Sequence, residues 1–252
     1  MRRSFLSGAI SIGKNMILYY VRHGDPIYDP DSLTELGHNQ AKALAKRFSL
    51  YGLDGIYSSP STRAIQTAQP TCEALGLEMK ICDWADEGKA WHNTHIIKSD
   101  GKPCWGFAYK PTVENFNDPE VRALGQKWYT HPHFRDCTFG DGIKRINEAV
   151  DEFLLSLGYM HDREQGCYQK VKNSPNKVAL FAHQGAGMLI LSSILDIPYP
   201  MFATHFDFGH SSVTAIAFGD DGKIYPKVLQ LSNDSHLYKE GILTGYNNGI
   251  DI

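Results

Sequence analysis

The chain has 252 residues, 42% of them hydrophobic and 21% charged, which is typical of a folded globular protein. Its formal net charge of −3 offers no basic excess, so we expect no nucleic-acid partner. No apolar run approaches the about 20 residues that span a bilayer, which predicts no membrane partner. Any cationic site must therefore be assembled locally by the fold.

The five cysteines include no pair at metal-binding C-x-x-C spacing, so we expect reduced thiols and a cytoplasmic protein. The segment Arg2–Leu6 resembles a twin-arginine export signal faintly, and export is kept as a minor alternative. Residues 1–15 are predicted to be a disordered N-terminal extension, and residues 16–252 a single domain.

Strand and helix patterns alternate along the chain, with apolar runs for strands and 3.6-residue periodicity for helices. In chain order the predictions are a strand at Met16–Val21, a helix from the N-cap Thr34 to Gly52, a weaker strand at Gly55–Ser58, a helix from the N-cap Ser61 to Gly76 with a kink at Pro70, a helix at Ile143–Leu157, a strand at Val178–Ala182, a helix at Met188–Leu195, a strand at Val213–Phe218 and an outer strand at Ile224–Leu231.

This alternation predicts an α/β fold, a three-layer α/β/α sandwich with a mainly parallel sheet. Residues 88–140 interrupt the rhythm, because they are rich in aromatic residues and contain no clear strand series. We interpret this stretch as an insertion that forms a partly helical lid.

Basic and imidazole side chains stand where three predicted strands end. Arg22 and His23 follow the first strand, His183 follows the strand at Val178–Ala182, and Arg63 lies in the first helical turn after the weaker strand. The carboxyl ends of parallel strands meet at one edge, so folding should bring these groups together. Two guanidiniums, two imidazoles and a helix N-terminus suit a dianionic phosphoryl group, and protein cations supply the charge without a metal or cofactor.

Four stretches carry a family resemblance. They are Leu18–Gly24, Leu33–Ala41 with the pattern L-[ST]-x-x-G-x-x-Q-A, Ile56–Ala68 with S-S-P-x-x-R-A-x-x-T-A, and Val178–Gly185. Together they resemble the histidine phosphatase superfamily, also called the phosphoglycerate mutase-like family, in its order of motifs. The resemblance covers most of the chain outside the insertion.

The resemblance implies roles for the matched residues. His23 would attack phosphorus and form a phosphohistidine, while Arg22, Arg63 and His183 would hold the phosphoryl oxygens. Gly24 and the amide near Gln184 would contribute to substrate binding.

The family's proton donor is an acidic residue after the next strand, and three candidates stand there. Glu87 is favoured, with Asp86 as the alternative and Asp83 also present. In the insertion, Trp91 and His92 are candidates for contact with the leaving group.

Two departures from the family pattern bear on function. The Asn that commonly follows Arg-His-Gly is missing, since the chain continues Asp25-Pro26, and the loop lacks the segment that characterises the mutase subgroup. The resemblance therefore favours a metal-independent phosphatase acting on a small-molecule phosphate ester. The alternatives are a phosphoglycerate mutase-type phosphomutase and a non-catalytic phosphate-binding protein, and monomer and dimer both stay open. His210, Ser211 and Ser212 are expected at most in the pocket wall.

Overall fold

The computed structural model describes residues 15–246. The predicted export signal, and all of the predicted N-terminal extension except Asn15, lie outside the described residues. The strands are β1 (Met16–Arg22), β2 (Pro26–Tyr28), β3 (Asp31–Leu33), β4 (Gly55–Ser58), β5 (Met79–Ile81), β6 (His95–Ile97), β7 (Pro103–Trp105), β8 (Tyr159–Asp162), β9 (Cys167–Lys170), β10 (Lys177–Ala182), β11 (Val213–Phe218) and β12 (Lys227–Asn233). The α-helices are α1 (Glu35–Tyr51), α2 (Thr62–Leu75), α3 (Glu87–Thr94), α4 (Lys110–Phe116), α5 (Pro119–Ala123), α6 (Phe139–Ser156), α7 (Gln184–Leu195), α8 (Tyr199–His205) and α9 (Ser235–Lys239). In the part of the chain that the structure describes, no helix is long and apolar enough to cross a membrane.

Six strands form the central sheet, in the order β12-β11-β1-β10-β4-β5. β1, β10, β4 and β5 are parallel, whereas β11 is antiparallel to both of its neighbours. The start of β11 therefore lies beside the end of β1, where Val213 pairs with Val21. The prediction of a mainly parallel sheet is confirmed.

Helices cover both faces of this sheet, because successive residues of a strand point to opposite sides. From β1, Leu18 and Tyr20 join the apolar cluster that contains α6 and α7. Tyr19 and Val21 join the other cluster, in which Leu44 and other residues of α1 and α2 pack. The predicted three-layer α/β/α sandwich is confirmed.

Most predicted boundaries agree with the structure, and the exceptions have physical causes. The Thr34 hydroxyl accepts from the Gly37 amide at 3.0 Å, as expected of an N-cap. Ser61 occupies the N-cap position of α2, but its side chain makes no capping bond, and Asp31 accepts from the Thr62 amide at 2.7 Å instead. The predicted N-cap position of α2 is confirmed, but the expected capping bond from the Ser61 side chain is absent.

The last strand also differs from its prediction. β12 begins at Lys227 rather than Ile224, because Ile224 pairs with Tyr168 in an isolated bridge.

The helix α2 continues through Pro70 to Leu75.

The segment 88–140 contains short helices, single 3₁₀ turns and the hairpin β6–β7. Its aromatic residues are mostly core: Trp128 is 1% exposed and packs edge-on to Phe116, with ring centroids 5.4 Å apart. The partly helical character agrees with the prediction, and the role of the segment as a lid stays a prediction.

A partly buried ionic cluster ties the hairpin β8–β9 to two helices behind the sheet. His161 is enclosed and lies between two carboxylates, Asp151 at 3.0 Å and Asp196 at 2.8 Å. Its ring stacks on Tyr168 with centroids 4.0 Å apart, and Arg163 also pairs with Asp151. Burial by itself would lower the pKa of His161, but the two carboxylate hydrogen bonds outweigh it and raise that pKa. A protonated imidazole here joins β8 to α6 and to the end of α7.

We expect His161→Phe to lower the free energy of unfolding by about 2 kcal/mol, less than for a fully buried pair because both carboxylates are partly exposed. The variant keeps an aromatic ring against Tyr168 but removes both hydrogen bonds. A raised pKa means that the folded state binds the proton more tightly, so the His161 contribution is complete below about pH 6.5, the unfolded pKa, and is lost as pH rises through the folded pKa. Denaturant unfolding at several pH values measures this, and a wild-type-to-variant difference that does not change with pH would contradict it.

Candidate active site

His23 lies directly after β1 and is 2% exposed. Its Nδ1 is 2.7 Å from the carbonyl oxygen of Gly24, and a carbonyl only accepts, so Nδ1 carries the proton. Burial, His183 and the Arg22 guanidinium hold the pKa of His23 well below its ordinary value. The ring is therefore neutral at neutral pH, with its lone pair on Nε2.

Arg22, the last residue of β1, is 1% exposed and is held by groups that follow α8. One guanidinium nitrogen donates to the Phe208 carbonyl, and Nη2 is 2.8 Å from Nε2 of His210. The His210 ring also packs on His23 with centroids 5.8 Å apart, and its Nδ1 is 3.4 Å from an Asp25 carboxylate oxygen. His210 thus links the arginine to the loop after His23.

Arg63 enters the site from the first turn of α2. Its Nη1 donates to Asp31 at 2.6 Å, and its guanidinium lies over the Tyr28 ring, 5.5 Å from the centroid. Both partners belong to the hairpin β2–β3. The loop after His23 lacks the Asn that commonly follows Arg-His-Gly in the resembled family. Its hairpin instead holds Arg63 in position.

His183 begins α7 as its N-cap residue and is fully buried. Its ring centroid lies 5.2 Å from that of His23, and Nε2 is 2.7 Å from the Ser59 hydroxyl. Burial, together with Arg63 and Arg22, keeps the pKa of His183 well below its ordinary value. Folding thus joins two histidines that are 160 positions apart.

Three buried polar atoms surround His23 without a hydrogen-bond partner in the described part of the chain. They are Nε of Arg22, Nε of Arg63 and Nδ1 of His183. Buried polar groups in native proteins nearly always have partners. Two arginine donors and one imidazole nitrogen at the same sheet edge suit the oxygens of a tetrahedral anion.

Glu87 opens α3 and faces the N-terminus of α7. Its two carboxylate oxygens accept from the amides of Gly185 at 3.1 Å and Ala186 at 2.8 Å. Burial raises the pKa of Glu87, against the lowering effect of these bonds and of Arg63 and Arg22. A carboxyl group with a raised pKa, near two arginines, is suited to carry a proton.

Asp86, the alternative acid, serves a different purpose. It is the N-cap of α3 and accepts from the Lys89 amide at 3.2 Å. Its geometry is that of a helix cap.

Of the four predicted binding residues, two are hydrogen-bonded within the protein and two lie in α3 of the insertion. The Gly24 amide donates to Thr67 at 2.9 Å, and the Gln184 side chain donates to Asp207, so both are engaged within the protein. Trp91 lies behind Trp105, edge to face at 4.9 Å, and His92 is exposed on α3. Contact of these four residues with substrate stays a prediction.

Sequence reasoning underweighted His210 and did not assign Asp31. His210 precedes β11, which is antiparallel, so the start of this strand lies at the edge where the parallel strands end. A search for residues that follow the carboxyl ends of strands misses a residue that precedes a strand. A prediction that β11 is antiparallel would have placed His210 at the site. Asp31 acts through a three-residue strand with no periodicity of its own.

No group of three or more His, Cys, Asp or Glu side chains that could hold a metal ion occurs between residues 15 and 246. The site instead combines a neutral imidazole with two arginines at the carboxyl edge of a parallel sheet. This arrangement is chemically suited to bind a phosphoryl group.

Residues 18–96 match the family model of the histidine phosphatase superfamily (branch 1), the superfamily that the sequence motifs resemble. Phosphoserine phosphatase 1 of Hydrogenobacter thermophilus is 30% identical over 135 residues, which are 54% of this chain. The match spans only 56% of that relative's own length.

Solved structures share the fold at lower identity. A mycobacterial glucosyl-3-phosphoglycerate phosphatase complexed with VO3 superposes with a TM-score of 0.54 at 21% identity, over 85% of this chain and 98% of that one. A phosphoserine phosphatase from Entamoeba histolytica in complex with phosphoserine gives 0.55 at 19% identity, over 88% and 99%.

We expect His210→Ala to weaken binding of vanadate, a tetrahedral phosphate mimic, by roughly tenfold, the cost of about one hydrogen bond to a charged group. The substitution removes the imidazole that orients Arg22 and leaves its Nη2 without that partner. Isothermal titration calorimetry measures the change. His38→Ala, on the exposed side of α1, is the matched control, and equal affinity in both variants would contradict a role for His210.

Proposed function

We propose that the chain is a metal-independent phosphatase that hydrolyses a phosphomonoester through a phosphohistidine intermediate on His23. The observation that carries the proposal is the Nδ1 hydrogen bond to Gly24, which leaves the lone pair on Nε2 amid Arg22, Arg63 and His183. The names of the relatives, phosphoserine phosphatase and glucosyl-3-phosphoglycerate phosphatase, support phosphate-ester hydrolysis.

In the first step Nε2 of His23 attacks phosphorus in line with the ester oxygen. The Nε2–P bond forms as the P–O bond to the alcohol breaks, and Glu87 gives its proton to the departing oxygen. Arg22 and Arg63 bind the non-bridging oxygens, where charge is spread in the transition state. His23 needs no base, because its Nε2 carries no proton.

In the second step water attacks the phosphohistidine. The ionised Glu87 takes a proton from this water, the P–N bond breaks and inorganic phosphate leaves. His23 and Glu87 thereby return to their starting protonation states. Protein cations balance the phosphoryl charge throughout, so the activity should persist in a chelator.

Rapid quenching during turnover of a ³²P-labelled aryl phosphate in EDTA should trap phosphate on His23. A phosphoramidate is labile in acid and stable in base, so the label should be lost at low pH and retained at high pH. Peptide mapping should place it on His23, and His23→Ala should abolish it together with turnover.

His38→Ala is the matched control, since it removes an exposed histidine that has no proposed role and should retain the label. Acid-stable label, label on another residue, or turnover that EDTA abolishes would each contradict the proposal.

We expect Glu87→Gln to lower kcat by about 10²–10⁴-fold on an alkyl phosphate, whose alcohol needs a proton to leave. The loss should be far smaller on 4-nitrophenyl phosphate, because that phenolate leaves unprotonated. Steady-state kinetics on both esters measures the difference.

Asp86→Asn is the control for this prediction, because Asn also caps a helix well and α3 should persist. It should leave both esters nearly unaffected. An equal loss on the two esters in Glu87→Gln would assign Glu87 to structure, and a selective loss in Asp86→Asn would make Asp86 the acid.

A further inference from the structure

His23 and His183 are both buried and neutral, but groups of different chemistry hold their rings. Nδ1 of His23 faces the Gly24 carbonyl, which only accepts, so that ring carries its proton on Nδ1. Nε2 of His183 lies 2.7 Å from the Ser59 hydroxyl, which can both donate and accept. The position of the His183 proton therefore depends on the direction in which this hydroxyl donates.

The Ser59 hydroxyl follows β4 and is fully buried, with two hydrogen-bond partners among the described residues. The Ser61 amide donates to its oxygen at 3.3 Å, and Nε2 of His183 is the other partner. Because a backbone N–H only donates, the lone pair of Nε2 is the acceptor available to the hydroxyl hydrogen. If His183 donated instead, that buried hydrogen would have no acceptor, an arrangement that native structures nearly always avoid.

The second ring nitrogen of His183, Nδ1, is buried and has no hydrogen-bond partner within residues 15–246. The ring lies beside the nucleophile, with its centroid 5.2 Å from that of His23. Burial and the charges of Arg63 and Arg22 hold the pKa of His183 well below its ordinary value, so the ring carries a single proton. With Nε2 accepting from Ser59, this proton lies on Nδ1.

The backbone of His183 is fixed separately from its ring. The Tyr20 hydroxyl of β1 accepts from the His183 amide at 3.1 Å and donates to the His183 carbonyl. A Cβ at Gly187 would lie 2.6 Å from the Tyr20 hydroxyl oxygen, so α7 packs closely on this tyrosine. Of the described groups, the Ser59 hydroxyl is the one that hydrogen-bonds to the ring itself.

We propose that Ser59 is a positioning residue whose hydroxyl donates to Nε2 of His183 and thereby makes Nδ1 of His183 a hydrogen-bond donor to the bound phosphoryl group. This inference rests on the proposed function. The two neutral histidines then play opposite parts, since His23 offers a lone pair to phosphorus and His183 offers a proton to a phosphoryl oxygen. The other tautomer of His183 would turn a lone pair toward the anion and repel it.

Long-range ¹H–¹⁵N correlation NMR of protein labelled with ¹⁵N-histidine reads the tautomer of His183, because protonated and unprotonated ring nitrogens resonate at different frequencies. His183→Gln assigns the signals by their loss. In the wild-type protein we expect the proton on Nδ1, and added vanadate should shift this nitrogen and slow the exchange of its proton with water. A proton on Nε2 of His183 would overturn the inference.

Ser59→Ala removes the donor, so we expect a fraction of His183 to carry its proton on Nε2 instead. Vanadate should bind roughly ten- to hundredfold more weakly, the cost of one hydrogen bond to a charged group. Ser58→Ala is the matched control, because Ser58 is also fully buried and its hydroxyl donates to the Ser59 carbonyl at 2.9 Å. It should keep both the tautomer and the affinity.

An unchanged tautomer in Ser59→Ala, or equal losses of affinity in Ser58→Ala and Ser59→Ala, would overturn the inference. The NMR measurement on the wild-type protein decides it even if a variant fails to fold. A lone pair on Nδ1 of His183 would leave the phosphohistidine chemistry of His23 intact. Absence of label on His23, with Nδ1 of His183 protonated, would instead refute the proposed function and leave Ser59 as the residue that orients an anion-binding imidazole.

Discussion

The hydrogen bond from Nδ1 of His23 to the Gly24 carbonyl fixes the chemistry of the site, because it decides which imidazole nitrogen is free to react. The bond requires a tight turn after β1, and glycines permit that turn. A Cβ at Gly24 would lie 2.8 Å from the Gly37 carbonyl, and a Cβ at Gly37 would lie 2.2 Å from the Asp25 carbonyl. The first turn of α1 therefore presses on the loop that carries His23, and the Gly24 amide is fixed by Thr67 of α2.

Arg22 places positive charge beside this imidazole, and the Phe208 carbonyl and Nε2 of His210 hold the guanidinium in position. Arg63 does pair with Asp31, but that bond also draws the hairpin β2–β3 over the guanidinium. Burial, together with the two nearby arginines, lowers the pKa of both histidines and keeps them neutral, since protonation would add like charge in a desolvated site. The buried positive charge therefore helps to keep the His23 imidazole neutral and also provides a site for an anion.

Much of this could be predicted from the sequence, because parallel strands expose their carboxyl ends at one edge. Arg22, His23 and His183 stand at the ends of continuous apolar runs, and Arg63 lies in the first turn of a predicted helix. A parallel sheet topology was therefore enough to predict that these side chains lie close together. His210 was underweighted because its strand runs the other way. The capping of α2 by Asp31 was missed because it depends on a contact between residues 31 positions apart.

The arrangement of the side chains in the insertion could not be predicted from the sequence. Its composition indicates an aromatic core but not which rings face the site, and Trp105, not Trp91, contacts the N-terminus of α7. Only packing distinguishes these two tryptophans.

The most direct test of the account is the position of phosphorus on the His23 ring. Protein labelled with ¹⁵N-histidine and quenched in base during turnover can be digested and its phosphopeptide studied by ¹⁵N–³¹P correlation NMR. We expect coupling of phosphorus to Nε2, since Nδ1 donates its hydrogen bond to the Gly24 carbonyl. Coupling to Nδ1 of His23, or to a nitrogen of His183, would contradict it.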